Sequence, residues 1–182
     1  ETDTTALING NNAMGQVVST GAMQLCIEKA KKTGVAFVGV KGSNHFGMAS
    51  YYSEMAIPEG MIGMVFTSPA AHLMAPTGGV EPILDNNPFS FAIPAGKELP
   101  VVLDMATSVG GRGKIGVGFY KGGKIPPSWA MTIDGHETTD PKEAFDGILL
   151  PVGGYKGYGL TVIVGILSAV LTGGAILTKD VK

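Results

Sequence analysis

Two apolar runs, Val35-Ala-Phe-Val-Gly-Val40 and Met61-Ile-Gly-Met-Val-Phe66, are bounded by glycine and proline signals and separated by one helix-length stretch. Runs this short and this rich in β-branched and aromatic residues predict buried strands. With a helix over residues 48–56, stopped by Pro58-Glu-Gly60, they form the strand-helix-strand crossover of a parallel pair. That pattern confines the chain to α/β architectures. Upstream, residues 5–8 predict a short strand and Asn9-Gly-Asn-Asn12 a turn. Gly15–Thr33 predicts an amphipathic covering helix, with Val18, Ala22, Cys26 and Ala30 along one side, a Glu28–Lys32 charge pair and Gly34 as its stop. Downstream, Phe89–Ile93 and residues 101–103 are close enough in sequence for an antiparallel hairpin, and residues 128–133 predict a last short strand. The expected fold is a three-layer α/β/α arrangement with a mixed sheet and helices on both faces.

The first of the two runs leads into Gly42-Ser43-Asn44-His45-Phe46-Gly47. A loop following a strand is where α/β proteins place their chemistry, and histidine is the commonest general acid/base. Two glycines let the backbone turn sharply, while Ser43 and Asn44 can hold one imidazole tautomer or a carbonyl oxygen. The competing reading makes Asn44 and His45 turn and cap residues. His72 is a weaker loop candidate, and His136 in Asp134-Gly-His136 reads as solvated.

Composition narrows the partners. Charged residues make up 15% and apolar ones 45%, against a usual charged share of about 25%, which implies surface buried against another chain. A net charge of −2 and a pI near 5.9 offer no footprint for nucleic acid or an anionic membrane. The single cysteine, Cys26, reads as a small core residue, and without a charged-then-apolar leader the expected compartment is the cytoplasm. Three histidines without CxxC or HExxH spacing give no metal site. Residues 157–178 carry no charge and would be long enough to span a bilayer. Their glycines, threonines and serine argue instead for a helix buried on nearly all sides, in the core or at a subunit contact, with no membrane involved.

Gly111-Arg-Gly113-Lys-Ile-Gly116 is a literal GxGxxG, and Asp134 lies near the spacing of a ribose-binding acid. It is not read as a Rossmann fingerprint. The glycines follow the preceding strand by too many residues, and Gly118, Gly122, Gly123, Pro126 and Pro127 should break the required helix. Polar groups collect at three strand ends: Ser43 and His45, then Thr67 and Ser68, then residues 104–108. Lys156 sits at a predicted helix start, where the dipole disfavours a cation, so it reads either as the partner of an anionic ligand or as a solvated side chain. Hydroxyls, backbone amides and this lysine suit a cofactor with phosphates and a carboxamide.

Gly10-Asn-Asn-Ala-Met-Gly-Gln-Val17, Ser43-Asn-His-Phe-Gly47, Asn87-Pro-Phe-Ser-Phe-Ala-Ile-Pro94, Leu103-Asp-Met-Ala-Thr-Ser108, Gly113-Lys-Ile115, and Leu149-Leu-Pro151 to Lys156-Gly-Tyr-Gly159 resemble the malate/L-lactate dehydrogenase family in matching order. That family also holds ureidoglycolate, sulfolactate and diketogulonate dehydrogenases. The resemblance implies a homodimeric oxidoreductase moving hydride between NAD or NADP and a small 2-hydroxy or 2-oxo acid, on a non-Rossmann dinucleotide-binding fold. It implies His45 as the acid/base, and cofactor contacts at Ser68, Asp104, Met105, Ala106, Thr107, Ser108, Tyr155 and Lys156, which Ser43 joins as a cofactor-binding candidate from its place at a strand end.

Against the family pattern, the helical N-terminal segment with its substrate-binding histidine and arginine is missing, as is the last C-terminal part. Residues 1–182 are therefore expected to be a single cofactor-binding domain from a longer chain, with Arg112 as the remaining candidate for a carboxylate clamp. The rival reading is a catalytically silent nucleotide-binding or dimerisation module left by loss of that segment.

Overall fold

Helix α1 (Gly15–Thr33) ends where its sequence says it should. Gly34 adopts φ +83°, and its N–H closes on the Ala30 carbonyl at 2.8 Å. The computed structural model describes residues 1–69 and 71–174. They cluster into two compact units: Glu1–Thr67, Pro88–Met105 and residues 166–174 in the first, Ser68–Asn87 and Ala106–Gly165 in the second.

In the first unit, β1 (Thr5–Ala13) and β2 (Phe37–Ser43) pair in parallel from Thr5↔Phe37 to Asn9↔Lys41. The crossover is thus β1-α1-β2, and the expected one between the runs at 35–40 and 61–66 does not form. Length decides this, because a parallel crossover needs a dozen or more residues. α1 has 19, whereas α2 (Ala49–Ser53) has 5 and tightens into a 3₁₀ helix, Glu54–Glu59, containing Pro58. The predicted turn at residues 9–12 lies inside β1. Asn11 and Asn12, at φ +48° and +59°, shift the register between Asn9 and Ala13 without ending the strand. β2 starts two residues late and is not buried: Val35 is 70% and Phe37 41% exposed, since β2 pairs with β1 alone among the described residues.

Strands β3 (Gly63–Phe66), β4 (Phe89–Ile93) and β5 (Val101–Met105) form an antiparallel sheet, and β4-β5 is the predicted hairpin. One face packs on α2 and the 3₁₀ helix, where the hydroxyls of Ser53 and Ser90 share a hydrogen bond of 2.8 Å. The pairing puts Met64, Phe66, Phe89, Phe91, Ile93, Val101, Leu103 and Met105 on the other face. Every side chain there is apolar, and Met64, Ile93, Val101 and Leu103 are exposed.

The second unit holds a core of Leu73, Met74, Leu84, Ile115, Ile125, Ala130, Ala144 and Leu149. Around it lie α3 (Arg112–Lys121), α4 (Pro141–Asp146), α5 (Tyr155–Gly165) and the two-residue strands β6 (Ala130–Met131) and β7 (Ile148–Leu149). The chain is an α/β fold whose parallel and antiparallel pairings are divided among three small sheets.

α3 runs through Gly113, Gly116 and Gly118 but stops at Lys121, where Gly122 takes φ +66°, so of the expected breakers Gly118 is tolerated while Gly122 ends the helix ahead of Gly123, Pro126 and Pro127. The bare backbone at Gly116 and Gly118 admits Phe145, Ile125 and Pro141 at close range, and packing outweighs weak propensity. The other argument against a Rossmann turn stands, because residues 106–111 separate β5 from α3. α4 was not anticipated, although Asp140-Pro141 carries its start signal. The Asp140 carboxylate accepts from the amides of Lys142 at 2.7 Å and Glu143 at 3.2 Å.

The uncharged run forms α5 and then a π-helical stretch, Ile166–Val170, while residues 175–178 lie outside the described residues. No helix among the described residues is long and apolar enough to cross a membrane. α5 is not enclosed within the core of its unit, the first of the two settings expected for it. Gly157, Thr161 and Val164 face inward while Leu160 and Ile163 are exposed, because a close backbone approach selects small residues for the packed side.

Cys26 is half-buried, and its Sγ donates to the Ala36 carbonyl at 3.4 Å. Burial pushes the thiol above its usual range, with a backbone hydrogen bond from Val38 partly opposing. Less thiolate is then present near pH 8. Dithionitrobenzoate is expected to label native Cys26 about tenfold or more slowly than the unfolded chain, and equal rates would mean an accessible thiol.

Candidate functional site

In the first unit, the loop after β2 is fixed at its backbone and free at its ring. The Asn44 amide nitrogen, Nδ2, donates to the Asn12 carbonyl at 2.9 Å, to Asn12 Oδ1 at 3.0 Å and to the Ala13 carbonyl at 3.0 Å. The Tyr52 hydroxyl, on a side chain only 2% exposed, donates to the Phe46 carbonyl at 2.5 Å. Between these anchors His45 is exposed, and its Nδ1 accepts from the Gly47 amide at 3.3 Å. Asn44 therefore serves carbonyl oxygens, not an imidazole tautomer. Ser43 Oγ is buried without a hydrogen-bond partner among the described residues.

Asp104, near the end of β5, is tied to the same region of the chain. Its Oδ2 accepts from the Ser50 amide in the first turn of α2 at 2.8 Å, placing a carboxylate where the helix dipole favours it. Met105 follows, half-buried, on the apolar face of the sheet.

The second unit joins two stretches that are far apart in sequence. The Thr107 carbonyl accepts from the Val152 amide at 2.8 Å, Val109 N–H donates to the Leu150 carbonyl at 2.9 Å, and Ser108 bridges Pro151. Gly153 and Gly154, at φ +61° and +63°, then turn the chain into α5, with Tyr155 and Lys156 exposed in its first turn. A Cβ at Gly157 would overlap the Val152 carbonyl oxygen and lie 2.6 Å from Val152 N and 2.9 Å from the Thr107 carbonyl oxygen. Residues 107–109 and the start of α5 are thus neighbours.

Individual side chains divide. Thr107 is fully buried, with its hydroxyl bonded to that of Thr161 and its amide to the Asn86 carbonyl at 2.9 Å. Hydroxyl, N–H and C=O are all engaged inside the unit, so Thr107 frames the segment. Ser108 Oγ donates to the Gly110 carbonyl at 2.9 Å, Ala106 is half-buried, and Ser68 Oγ is buried with no hydrogen-bond partner among the described residues. Beneath them Asn87, fully buried, donates to the Thr161 carbonyl at 2.8 Å. Asn87 and Thr161 were missed as parts of this framework. A polar residue in an otherwise apolar stretch was the signal available for Thr161.

Arg112 already has one hydrogen-bond partner and one aromatic one. Its guanidinium lies 4.6 Å from the centre of the Phe145 ring, and Nη2 donates to the Phe145 carbonyl at 2.8 Å. Two clefts of about 330 and 320 Å³ lie elsewhere, one lined by Thr5, Leu7, Phe37 and Leu171, the other by Thr132, Asp134, His136 and Asp146. No predicted site residue lines either.

The chain combines an α/β fold without a Rossmann turn, a glycine-framed lysine at a helix start and an exposed loop histidine. The chain belongs to the malate/L-lactate dehydrogenase family, whose model matches residues 1–182. It is 50% identical over 177 residues to L-sulfolactate dehydrogenase of Methanothermobacter thermautotrophicus, covering 96% of this chain and 51% of that protein. It is 49% identical over 185 residues to malate dehydrogenase of Pyrococcus abyssi, covering 97% and 50%. The crystal structure of malate dehydrogenase from Entamoeba histolytica superposes with a TM-score of 0.91 at 38% identity, covering 97% of this chain and 52% of that one. The chain spans about half the length of these relatives. Two more distant relatives have a coenzyme in their names: (2R)-3-sulfolactate dehydrogenase (NADP(+)) of Chromohalobacter salexigens, 38% identical over 83% of this chain and 45% of that protein, and ureidoglycolate dehydrogenase (NAD(+)) of Escherichia coli O157:H7, 36% identical over 92% and 47%.

Proposed function

We propose that this chain is the cofactor-binding domain of an oxidoreductase that transfers hydride between NAD or NADP and a small 2-hydroxy or 2-oxo acid, with His45 as the acid/base. The observation that carries this reading is the exposed His45 ring on a backbone-anchored loop, in a chain of this family. In the oxidation direction the ring takes the hydroxyl proton of the substrate, and in reduction it returns it to the new alkoxide. Nδ1 holds the lone pair in the arrangement seen, and a substrate hydroxyl would displace the long Gly47 contact there.

The second unit fits a dinucleotide. Ser68 Oγ is a buried polar atom with no hydrogen-bond partner among the described residues, and α5 opens with amides and a lysine at its positive end. When bound, the nicotinamide supplies or accepts the hydride. Lys156 and Tyr155 would hold it at the start of α5, and Ser68, Ala106 and Ser108 would line it. In the first unit Ser43, Asp104 and Met105 are cofactor-contact candidates by their position in the sequence, with one Asp104 oxygen already on the Ser50 amide. Thr107 contributes by holding residues 106–108 against Val152.

The protein acts in the cytoplasm as a homodimer in this reading, and the exposed apolar face formed by Met64, Ile93, Val101 and Leu103 supports a covering partner. One observation bears on the silent-module alternative: Arg112, the candidate clamp, gives one of its N–H groups to the Phe145 carbonyl, which leaves fewer for a substrate carboxylate. Titrating NADH and NADPH by nicotinamide fluorescence, together with turnover on a panel of 2-oxo acids, separates the two. Binding with turnover supports the dehydrogenase, whereas binding without turnover supports the module. Lys156→Ala is expected to weaken cofactor binding by about 10- to 100-fold, the worth of a charged hydrogen bond, with the loss shrinking as salt rises. Unchanged affinity would remove Lys156 from the site.

A further inference from the structure

We infer that Asn44, Tyr52 and Gly15 are positioning residues that fix the backbone under His45, an inference built on the acid/base reading of that histidine. Three separate holds converge on three consecutive residues. The Asn44 side chain distributes two protons over three acceptors at the end of β1. Tyr52 grips the Phe46 carbonyl and stacks edge-on to the Phe46 ring at 5.1 Å. From beneath, α1 starts with a residue that has no Cβ, because one at Gly15 would overlap the Asn44 carbonyl oxygen and lie 2.6 Å from that of His45.

The acceptors themselves are set up at a conformational cost. Asn11 and Asn12 both adopt left-handed backbone, a region disfavoured for residues with side chains, and this turns the end of β1 toward Asn44. By contrast the His45 ring has one long contact, from the Gly47 amide. A loop that needed only to be stable would not require an exposed histidine at the centre of its anchors. A proton-transfer group needs just this combination, a fixed Cα under a ring that can approach and leave a ligand.

The test uses the purified chain with ¹⁵N-histidine labelling, which reports only residues 45, 72 and 136, with the His45 signals assigned from His45→Ala. In the neutral ring, native His45 is expected to show the well-separated nitrogen shifts of the Nε2–H tautomer, set by Gly47. Asn44→Ala, Tyr52→Phe and Gly15→Ala are each expected to move these shifts toward the averaged value while those of His136 stay unchanged. Tyr52→Phe removes one hydroxyl and serves where Gly15→Ala fails to fold. Averaged shifts in the native chain, or unmoved shifts in the folded variants, would overturn the inference.

In turnover, Asn44→Ala is expected to lower kcat by about 10- to 100-fold, with the cofactor Kd within twofold of native. On the His45→Ala background it should cause no further loss, and independent losses that multiply would count against positioning. If His45→Ala leaves the rate intact, the acid/base reading fails, and the nitrogen shifts still decide the positioning inference by themselves. If His45→Ala slows the enzyme and the other variants do not, positioning fails alone.

Discussion

Replacing His45 with alanine is expected to lower turnover by about two to four orders of magnitude, the usual worth of a positioned acid/base, while NADH or NADPH still binds. The geometry explains the separation. His45 is exposed, and its ring's described hydrogen bond is the 3.3 Å contact from Gly47, so deleting the ring removes little that supports the first unit. The loop's anchors, Asn44 to β1 and Tyr52 to Phe46, do not involve the imidazole. Thermal stability should therefore change little. Steady-state rates with a 2-oxo acid, paired with a fluorescence titration of the cofactor, measure both halves of the expectation. An unchanged kcat would exclude His45 from proton transfer, and a collapsed cofactor affinity would make it a binding residue instead.

Gly157→Ala is expected to destabilise the second unit and to weaken cofactor binding by about tenfold or more, the scale of a misplaced charged contact. Two effects oppose each other. Alanine in a helix interior gains about 0.5–1 kcal/mol over glycine. Overpacking costs about 1–3 kcal/mol, and here the new methyl meets backbone atoms of Val152 and Thr107 that cannot rotate away. Overlap should win, pushing α5 off the 107–109 and 150–152 segments and displacing Lys156 with it. Gly159→Ala is the control, because a Cβ there meets nothing within 4 Å and only the propensity gain remains. Denaturant unfolding of the two variants checks the sign, and equal stability would contradict the close packing of α5.

Much of the outline was legible because local chemistry had no competitor. α1 was read from its periodicity and stopped by Gly34, and β4-β5 followed from two strands joined by too short a link for anything but a hairpin. The rejection of GxGxxG held on spacing and on the stop at Gly122, while α3 carries Gly118 because its bare backbone packs against Ile125 and Pro141. Strand partners were less legible. The run at 61–66 looked like the mate of the run at 35–40, yet hydrogen-bonding edges carry no label in sequence, and the longer α1 gave β1 the parallel place beside β2.

At the candidate site the sequence named His45, Lys156 and the 104–108 segment through residue type, position after a strand and family motif. It could not say which of those groups were already spoken for. That Thr107 spends its hydroxyl on Thr161, that Arg112 lies against Phe145, and that Asn44 serves the end of β1 depend on partners 32 to 54 residues away. By itself the chain determined where turns, helices and reactive side chains occur, since these follow from each residue's own conformational preferences and those of its near neighbours. Tertiary structure decided which polar groups face one another and which remain free, because a hydrogen bond is won by proximity in space, and that proximity exists only once the whole unit has folded.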